Sequence, residues 1–383
     1  MAITFFKITA QKMTQVMAQV MARVMDQVVA RVMDQVVVVA FIIYIIIAQQ
    51  SCASPSAWEM GKPKHHTTEG FRNYPIVPEP PALGLGFYLR RIKSSFNLPV
   101  VPEGHYLSEE EAIFKLNNLK NKNTVTWIGQ STFLIKIDGK FILTDPFFSK
   151  QASPYSIGPV RFVDPGISPA ALPKIDIIII SHNHYDHLDK LFIKNLPNKE
   201  SIHVFVPLKL KSFFTERGYN FVHELDWNET YTIYNFKMTA LPTVHFSGRG
   251  LGDQNESLWC SWAITTAFGK YFFIGDSAYS PTLFNEIANN FDSFDLAMLT
   301  IGTYGNRKYG VNNHTTPEEA INIGKAIKAK TLLGMHWGTI ELSDESPWEP
   351  PKRFKESAQK AGFLSENIWL MKIGETRLLP GKR

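Results

Sequence analysis

Short runs of alternating apolar and polar residues begin near Thr124 and predict a series of β-strands. Segments 124–128, 132–137 and 141–144 are separated by Gly129 and by Asp138-Gly139, a spacing that indicates a β-meander. Further apolar runs predict strands at 175–180, 203–206, 236–240, 258–265, 271–274, 296–301 and 331–335.

Helical spacing of apolar residues occurs in three segments, 208–217, 317–327 and 350–361. Before the second of these, the run from His314 to Glu319 offers a threonine cap followed by Pro317 and two acidic residues, which is a helix start signal. Strands and helices in this order predict two sheets flanked by helices.

The first fifty residues have a different pattern. Residues 13–36 carry a near four-residue repeat of Met and Val, which predicts a low-complexity amphipathic helix. It suits a coiled coil, a membrane-surface element or a sequence duplication without function. Thirteen apolar residues follow at 36–48, fewer than the ~20 that cross a bilayer as a helix.

That length suits the core of a signal peptide, and an uncleaved signal anchor that recruits Val28 and Val29 is the alternative. Cys52 could also carry a lipid, which would make the chain a lipoprotein. We therefore expect residues 1–52 to attach the protein to a membrane, with the remainder on the extracytoplasmic or periplasmic side. Residues 53–110, rich in proline, read as a linker and N-terminal arm, and residues 111–383 as the folded domain.

Composition narrows the functional classes. The chain is 44% hydrophobic and 13% aromatic, enough for a sizeable core. A net charge of +5 without a dense Lys/Arg run argues against nucleic acid as a partner. Two cysteines, Cys52 and Cys260, exclude a disulfide scaffold. We expect Cys260 to be a small core residue.

Four potential metal ligands follow a run of isoleucines: His182, His184, Asp186 and His187. Imidazole nitrogens and carboxylate oxygens satisfy a borderline divalent metal ion. Histidines two residues apart share one side of an extended segment, and the Asp-His pair beyond the turn can reach a second ion. The spacing therefore predicts a site for two metal ions.

Two ions need more ligands than one loop supplies. Three further candidates stand where a predicted strand gives way to a loop: His245, Asp276 and His336. A single strand-terminal histidine is usually a core or capping residue, but three such positions after the cluster favour a shared metal centre.

The segment SHNHYDHLD at 181–189 carries the HxHxDH signature and resembles the metallo-β-lactamase superfamily, whose fold is a four-layer αββα sandwich. More motifs agree in order with N-acylphosphatidylethanolamine-hydrolysing phospholipases D: TDPFFS at 144–149, GPVRF at 158–162, ELDW at 224–227, LWCSW at 258–262, GDSAY at 275–279, NHTTPEEA at 313–320 and MHWGT at 335–339. The resemblance covers roughly residues 71–380.

The resemblance implies a role for each candidate. One metal ion is expected on His182, His184 and His245 and the other on Asp186, His187 and His336, with Asp276 bridging both. His314 is expected to be a catalytic residue that is not a ligand, positioning the phosphate or protonating the leaving group, although a helix-capping role is the alternative. Asp186 would also orient the nucleophile.

The implied reaction is hydrolysis of N-acylphosphatidylethanolamine or a similar phospholipid to phosphatidic acid and N-acylethanolamine by a dizinc-activated hydroxide, with iron or manganese as alternative metals. A lactone or other small ester is the alternative substrate, and a non-catalytic membrane-tethered metal-binding protein is a further alternative. The phospholipases commonly carry Pro and Trp in the loop before His314, where this chain has Gly305, Asn306, Arg307 and Lys308. Arg307 and Lys308 could meet an anionic headgroup or be solvated loop charges.

Overall fold

The computed structural model describes residues 61–77, 86, 96–154, 158–250, 252–309 and 313–382 of the 383-residue chain. The described strands are β1 (Thr124–Gly129), β2 (Thr132–Ile137), β3 (Lys140–Thr144), β4 (Ile177–Ile179), β5 (His203–Pro207), β6 (Phe221–Leu225), β7 (Thr230–Ile233), β8 (Phe236–Leu241), β9 (Ser261–Thr265), β10 (Lys270–Phe273), β11 (Phe294–Thr300), β12 (Ala329–Met335), β13 (Ile368–Trp369) and β14 (Thr376–Leu378). The described α-helices are α1 (Glu109–Asn118), α2 (Lys190–Asn195), α3 (Lys211–Thr215), α4 (Pro281–Asn290), α5 (Pro317–Ala326) and α6 (Glu349–Lys360).

The strands form two mixed sheets. The first has the order β14-β1-β2-β3-β4-β5-β6, antiparallel from β14 to β3 and parallel from β3 to β6. The second has the order β13-β12-β11-β10-β9-β8-β7, parallel from β13 to β10 and antiparallel from β10 to β7. Parallel neighbouring strands end at the same edge of their sheet. The loops after β3 and β4 of the first sheet can therefore meet the loops after β10 and β12 of the second.

The isoleucines in and directly after β4 are buried on both faces of the first sheet. Successive side chains of a strand point to opposite faces. Ile177 and Ile179 belong to the large core that contains buried residues of both sheets. Ile178 and Ile180 belong to a second core, formed with residues of α1, α2 and α3. Helix α5 contacts β11 and β12, and α4 and α6 pack beside α5. The result is the predicted αββα sandwich.

The predicted strands and helices are largely confirmed, with shorter ends in places. The strand predicted at 258–265 begins only at Ser261, and the helix predicted at 208–217 is helical only over Lys211–Thr215. The threonine cap is confirmed at Thr316, which forms a capping box with Glu319. Sequence reasoning missed α1, α2, α4 and the strands β6, β7, β13 and β14.

The described parts of the N-terminal arm lie against the domain. His66 and Phe71 form an isolated β-bridge, and the backbone of Phe71 donates to Asn255. Among the described residues, no helix has the length and apolar character needed to cross a bilayer. The predicted amphipathic helix, apolar segment and lipidation at Cys52 all lie outside the described residues.

Candidate metal centre

The predicted ligands come together at one end of the sandwich. His182 opens the loop after β4, and that loop carries His184, Asp186 and His187. From the second sheet, His245 follows β8, Asp276 follows β10, and His336 follows β12 directly. All of these side chains are buried except that of His184, which is partly exposed.

The ligand atoms form the two groups that the resemblance implies. In the first group, His182 Nε2 lies 2.7 Å from His184 Nδ1, and His245 Nε2 lies 3.3 Å from the same nitrogen. In the second group, Asp186 Oδ2 lies 3.4 Å from His187 Nε2 and 3.2 Å from His336 Nε2. The donor atoms within each group all lie within 4.8 Å of one another.

Asp276 lies between the two groups. Its Oδ2 is 3.9 Å from His182 Nε2 and 3.7 Å from His245 Nε2 on one side. On the other side it is 3.0 Å from His187 Nε2 and 3.3 Å from His336 Nε2. A single carboxylate oxygen within reach of both groups is what a bridging ligand requires.

A hydrogen bond at Nδ1 turns the Nε2 atom of four histidines toward the centre, as metal-binding imidazoles require. The Nδ1 atom of His187 lies 2.7 Å from Asp145 Oδ2. His245 Nδ1 lies 3.0 Å from the carbonyl oxygen of Asn313. Thr303 Oγ1 lies 3.2 Å from His336 Nδ1.

Ser181 has the same function for His182. Its hydroxyl donates to Asp145 Oδ2, so it accepts from His182 Nδ1 at 2.8 Å. Asp145 therefore connects two histidines, one from each group, and its fully buried side chain also accepts the backbone N–H of Ser181 at 2.6 Å. Sequence reasoning missed Asp145 as a site residue, although the TDPFFS motif contained it.

Two more residues hold the histidine loop. Gln130 Nε2 donates to Asp186 Oδ2 at 2.9 Å, which orients that carboxylate. The Arg249 guanidinium donates to the carbonyl oxygens of Asn183 and Leu188 and lies 4.0 Å from the Tyr185 ring centroid. No sequence pattern around Gln130 or Arg249 pointed to these contacts.

Burial keeps four histidines neutral. It lowers the pKa of His182 and of His184 well below 6.5, and neighbouring histidines act in the same direction. Burial also lowers the pKa of His245 to about 4 and that of His314 to about 3, because a charged imidazole loses its hydration there.

The second group behaves differently. Burial opposes protonation of His336, but the carboxylates of Asp276 and Asp186 raise its pKa to about 9. The same carboxylates raise the pKa of His187 well above 6.5 despite burial. In turn, although burial favours the neutral acids, the histidine charges hold the pKa of Asp186 and of Asp276 well below 3.8. Metal ions would therefore compete with protons at His187 and His336.

His314 lies beside the ligands. Its Nδ1 is 3.8 Å from Asp276 Oδ2 and is buried without a hydrogen-bond partner. With His245 and Asp276 it forms a further group that could hold a metal ion. The helix-capping alternative for His314 is wrong, because the cap of α5 is Thr316.

Arg307 supports the loop of His314. Its Nη2 donates to the His314 carbonyl oxygen at 2.8 Å, and its Nη1 donates to Glu319 Oε1 at 2.8 Å. These hydrogen bonds hold the guanidinium against the loop, and the Arg307 side chain remains 28% exposed. The side chain of Lys308 lies outside the described residues.

A cleft of about 250 Å³ lies beside the predicted metal ligands. Ala152, Tyr185, Phe246 and Leu342 give it apolar walls. Its polar lining includes His184, Asp186, Asp276 and His314. A polar reaction centre beside apolar walls suits an amphipathic substrate.

The residues fit two metal ions. His187 Nε2 is buried and makes no hydrogen bond, although it lies 3.0 Å from Asp276 Oδ2. Buried polar groups normally find a partner. Because this nitrogen points into a ring of histidine and carboxylate donors, a metal ion is the partner that satisfies it.

Backbone strain collects around these ligands. Gln130, Asp145, Thr303 and His336 all have positive φ, between 32° and 67°, although none is glycine. Such conformations cost about 1–3 kcal/mol each and persist where the surrounding structure enforces them. At Gly275, with φ of 61°, an added Cβ would lie 2.3 Å from the Ser181 Cβ.

Comparison with known proteins agrees with this geometry. A family model described as "Beta-lactamase superfamily domain" matches residues 140–337, which include every predicted ligand. The chain is 35% identical over 243 residues to N-acyl-phosphatidylethanolamine-hydrolyzing phospholipase D 1 of Caenorhabditis elegans, covering 60% of this chain and 68% of that protein. It is 36% identical over 257 residues to the mitochondrial N-acyl-phosphatidylethanolamine-hydrolyzing phospholipase D of Saccharomyces cerevisiae, covering 66% of this chain and 55% of the yeast protein.

Solved structures share the fold at lower identity. Isothiocyanate hydrolase from Delia radicum gut bacteria matches with a TM-score of 0.55 at 18% identity, over 67% of this chain and 100% of that one. CmlA, a diiron β-hydroxylase from Streptomyces venezuelae, matches with a TM-score of 0.51 at 21% identity, over 68% of this chain and 54% of that one. At these identities the similarity concerns the fold alone.

Proposed function

Since the chain belongs to the metallo-β-lactamase superfamily of metal-dependent hydrolases, we propose that it hydrolyses N-acylphosphatidylethanolamine or a similar phospholipid. The products would be phosphatidic acid and an N-acylethanolamine. The observation that carries the proposal is the position of Asp276 Oδ2, which lies 3.0–3.9 Å from the Nε2 atoms of four histidines in two ligand groups.

We propose zinc as the native metal, with iron or manganese as alternatives. His182, His184 and His245 would hold one ion, Asp186, His187 and His336 the other, and Asp276 both. Two bound ions would supply a nucleophile at neutral pH by acidifying water and would offset the negative charge that develops on the phosphoryl oxygens. Histidine and carboxylate ligands suit zinc but do not exclude iron, which CmlA contains as a pair.

In the proposed reaction, the oxygen of water forms a bond to phosphorus, the bond from phosphorus to the ethanolamine oxygen breaks, and a proton from the water ends on the departing oxygen. Asp186 would accept a hydrogen bond from the attacking water, and Gln130 keeps its carboxylate in place at 2.9 Å. His314 would hydrogen-bond to the phosphate or to the departing oxygen, since it lines the cleft beside Asp276.

Two observations support a lipid substrate. The relatives at 35–36% identity carry the name of a phospholipase, and the cleft has Tyr185, Phe246 and Leu342 beside the ligands. We propose that the protein works at a membrane surface, on the extracytoplasmic or periplasmic side, held there by its N-terminal segment.

The test uses the purified full-length chain in detergent and measures release of N-acylethanolamine from N-acylphosphatidylethanolamine, with metal content determined in parallel. Asp186→Asn should lower kcat by at least about 10²-fold, since it alters both a ligand and the group that orients water. Asp138→Asn is the matched control, because Asp138 lies in the exposed turn between β2 and β3. It should leave turnover unchanged.

Failure to cleave this lipid in metal-loaded protein would refute the substrate assignment. Turnover of lactones or small esters by the same sample would then favour the alternative substrate class. Absence of turnover on both classes would favour the non-catalytic metal-binding protein.

A further inference from the structure

A second cluster of metal-binding side chains lies apart from the ligands described above. His65 Nε2 is 2.6 Å from Asp226 Oδ1, and His66 Nε2 is 2.7 Å from Asp226 Oδ2. The three donor atoms all lie within 4.8 Å of one another. His65 and His66 belong to the N-terminal arm, and Asp226 belongs to the loop between β6 and β7.

The local chain makes two adjacent histidines converge. Neighbours in an extended chain point to opposite sides, but here a turn follows, closed by hydrogen bonds from the Thr67 N–H to the Gly70 carbonyl and from the Gly70 N–H to Thr67 Oγ1. The two imidazole rings meet edge to face, with centroids 4.6 Å apart, so both Nε2 atoms reach one carboxylate. A Cβ at Gly70 would lie 2.2 Å from the Asn255 carbonyl oxygen, so only glycine fits there.

The donor set is one that transition metals use, namely two imidazoles and a carboxylate. The side chains of His65, His66 and Asp226 are 9%, 16% and 15% exposed, so the cluster is partly open to solvent. Burial raises the pKa of Asp226, but the hydrogen bonds from the two histidines bring it below 3.8 overall. The carboxylate is therefore ionised at neutral pH and able to bind a cation.

The spacing of the donors resembles that of the main centre. A tetrahedral zinc ion with bonds of ~2.0–2.1 Å separates neighbouring donors by ~3.3 Å. The donors around Asp226 would have to separate by roughly 0.7 Å to reach that value. The His182 and His184 donors, expected to share one ion, are equally close at 2.7 Å.

Two of the three candidate ligands, His65 and Asp226, have partners that fix their orientation. The backbone N–H of Trp227 donates to Asp226 Oδ1 at 2.7 Å, and the Trp227 ring stacks on the His65 ring with centroids 4.2 Å apart. Glu229 Oε2 accepts the N–H of Asp226 at 2.8 Å. Metal-binding carboxylates are characteristically held by a further hydrogen bond, as Asp226 is here.

From these observations we propose that His65, His66 and Asp226 form a third metal site, which binds a divalent transition metal ion such as zinc. The ion pins residues 61–77 to the loop between β6 and β7. That segment also carries Asn73, whose side chain accepts from the His245 N–H at 3.0 Å and donates to the His245 carbonyl at 2.8 Å. The third site therefore supports a ligand of the main centre.

The experiment equilibrates the full-length chain in detergent with buffered zinc, without substrate, and measures bound zinc by mass spectrometry. We expect three equivalents in the wild type and two in Asp226→Asn and in His66→Gln. Asp138→Asn, in the exposed turn between β2 and β3, should retain three. The two equivalents that remain in the variants report that the domain is folded.

Two equivalents in the wild type would overturn the proposal and leave the cluster as a hydrogen-bonded contact. Retention of three equivalents in Asp226→Asn would also overturn it. If the variants lose all zinc, the test is the rate at which diethyl pyrocarbonate modifies the histidines of the wild type. The third equivalent should slow modification of His65 and His66, and an unchanged rate contradicts the proposal. None of these outcomes depends on lipid hydrolysis.

Discussion

Replacing Asp145 by asparagine tests whether this carboxylate orients the metal ligands. Its Oδ1 accepts the Ser181 N–H at 2.6 Å, and its Oδ2 accepts from His187 Nδ1 at 2.7 Å and from the Ser181 hydroxyl. Both oxygens therefore face N–H donors inside a site with no exposed surface. An asparagine side chain offers one oxygen and one NH₂ group.

The two orientations of the amide have different costs. If the NH₂ faces the Ser181 backbone, one buried N–H loses its acceptor, at about 1–3 kcal/mol. If it faces His187, the imidazole must carry its proton on Nε2, the atom that would bind metal. In either case the supporting hydrogen bonds weaken, and loss of such a contact typically lowers metal affinity by about 10–100-fold. We expect both a less stable protein and weaker zinc binding at the main centre.

Asp189→Asn is the matched control. The Asp189 carboxylate is also buried and accepts four backbone N–H groups, from Phe148, Ser149, Leu191 and Phe192, but it contacts no predicted ligand. It should lose stability to a similar extent, measured by thermal unfolding, while its zinc affinity, measured by competition with a chelator, changes little. If Asp145→Asn binds zinc as tightly as the wild type, the orienting role is refuted.

Three further changes have expected outcomes. Gly275→Ala should lower the unfolding free energy more than Gly139→Ala by about 1–3 kcal/mol in chemical denaturation, because both have positive φ but only Gly275 meets a neighbouring side chain. Arg307→Lys should lower kcat on the proposed lipid about tenfold with unchanged metal content, since a lysine cannot bridge Glu319 and the loop carbonyl in the same way; unchanged kcat would contradict this. Glu318→Gln should destabilise by up to ~1 kcal/mol at pH 7. On folding, burial acts to raise the pKa of Glu318, but Arg353 lowers it overall. The difference in unfolding free energy between the wild type and Glu318→Gln, measured with denaturant, should therefore shrink as the pH falls below 4.5. A difference that stays constant would refute this prediction.

The metal centre could be predicted because its ligands follow recognisable strands. Histidines and acids at the ends of buried strands carry a local signal, and parallel strands bring those ends to one edge. The order of strands and helices predicted two sheets flanked by helices, and the resemblance carried by the HxHxDH signature implied the αββα sandwich. Helix α4 was missed although Leu283, Phe284 and Ile287 form its buried face, because three of its ten residues are asparagines, which have low helix propensity. Strand β14 was missed because it is only three residues long.

The contacts that orient the ligands could not be predicted in the same way. Gln130 meets Asp186 across 56 positions of the chain, and Asp145 meets His187 across 42. The positive φ angle of Thr303 also has no sequence signal, since a β-branched residue rarely adopts that conformation. These features are imposed by tertiary packing, so a single sequence carries only the donor types and not their arrangement.

The N-terminal arm contributes contacts that support the predicted metal ligands. Asn73 holds the backbone of His245 from both sides, and His105 Nε2 lies 2.7 Å from the Gly338 carbonyl oxygen in the loop that carries His336. His105 also packs against Trp337, with ring centroids 4.9 Å apart. Both contacts come from residues before position 140, where the superfamily match begins. Residues outside the matched region thus support the loop of His245 in one ligand group and the loop of His336 in the other. The arm is therefore part of the scaffold of the site.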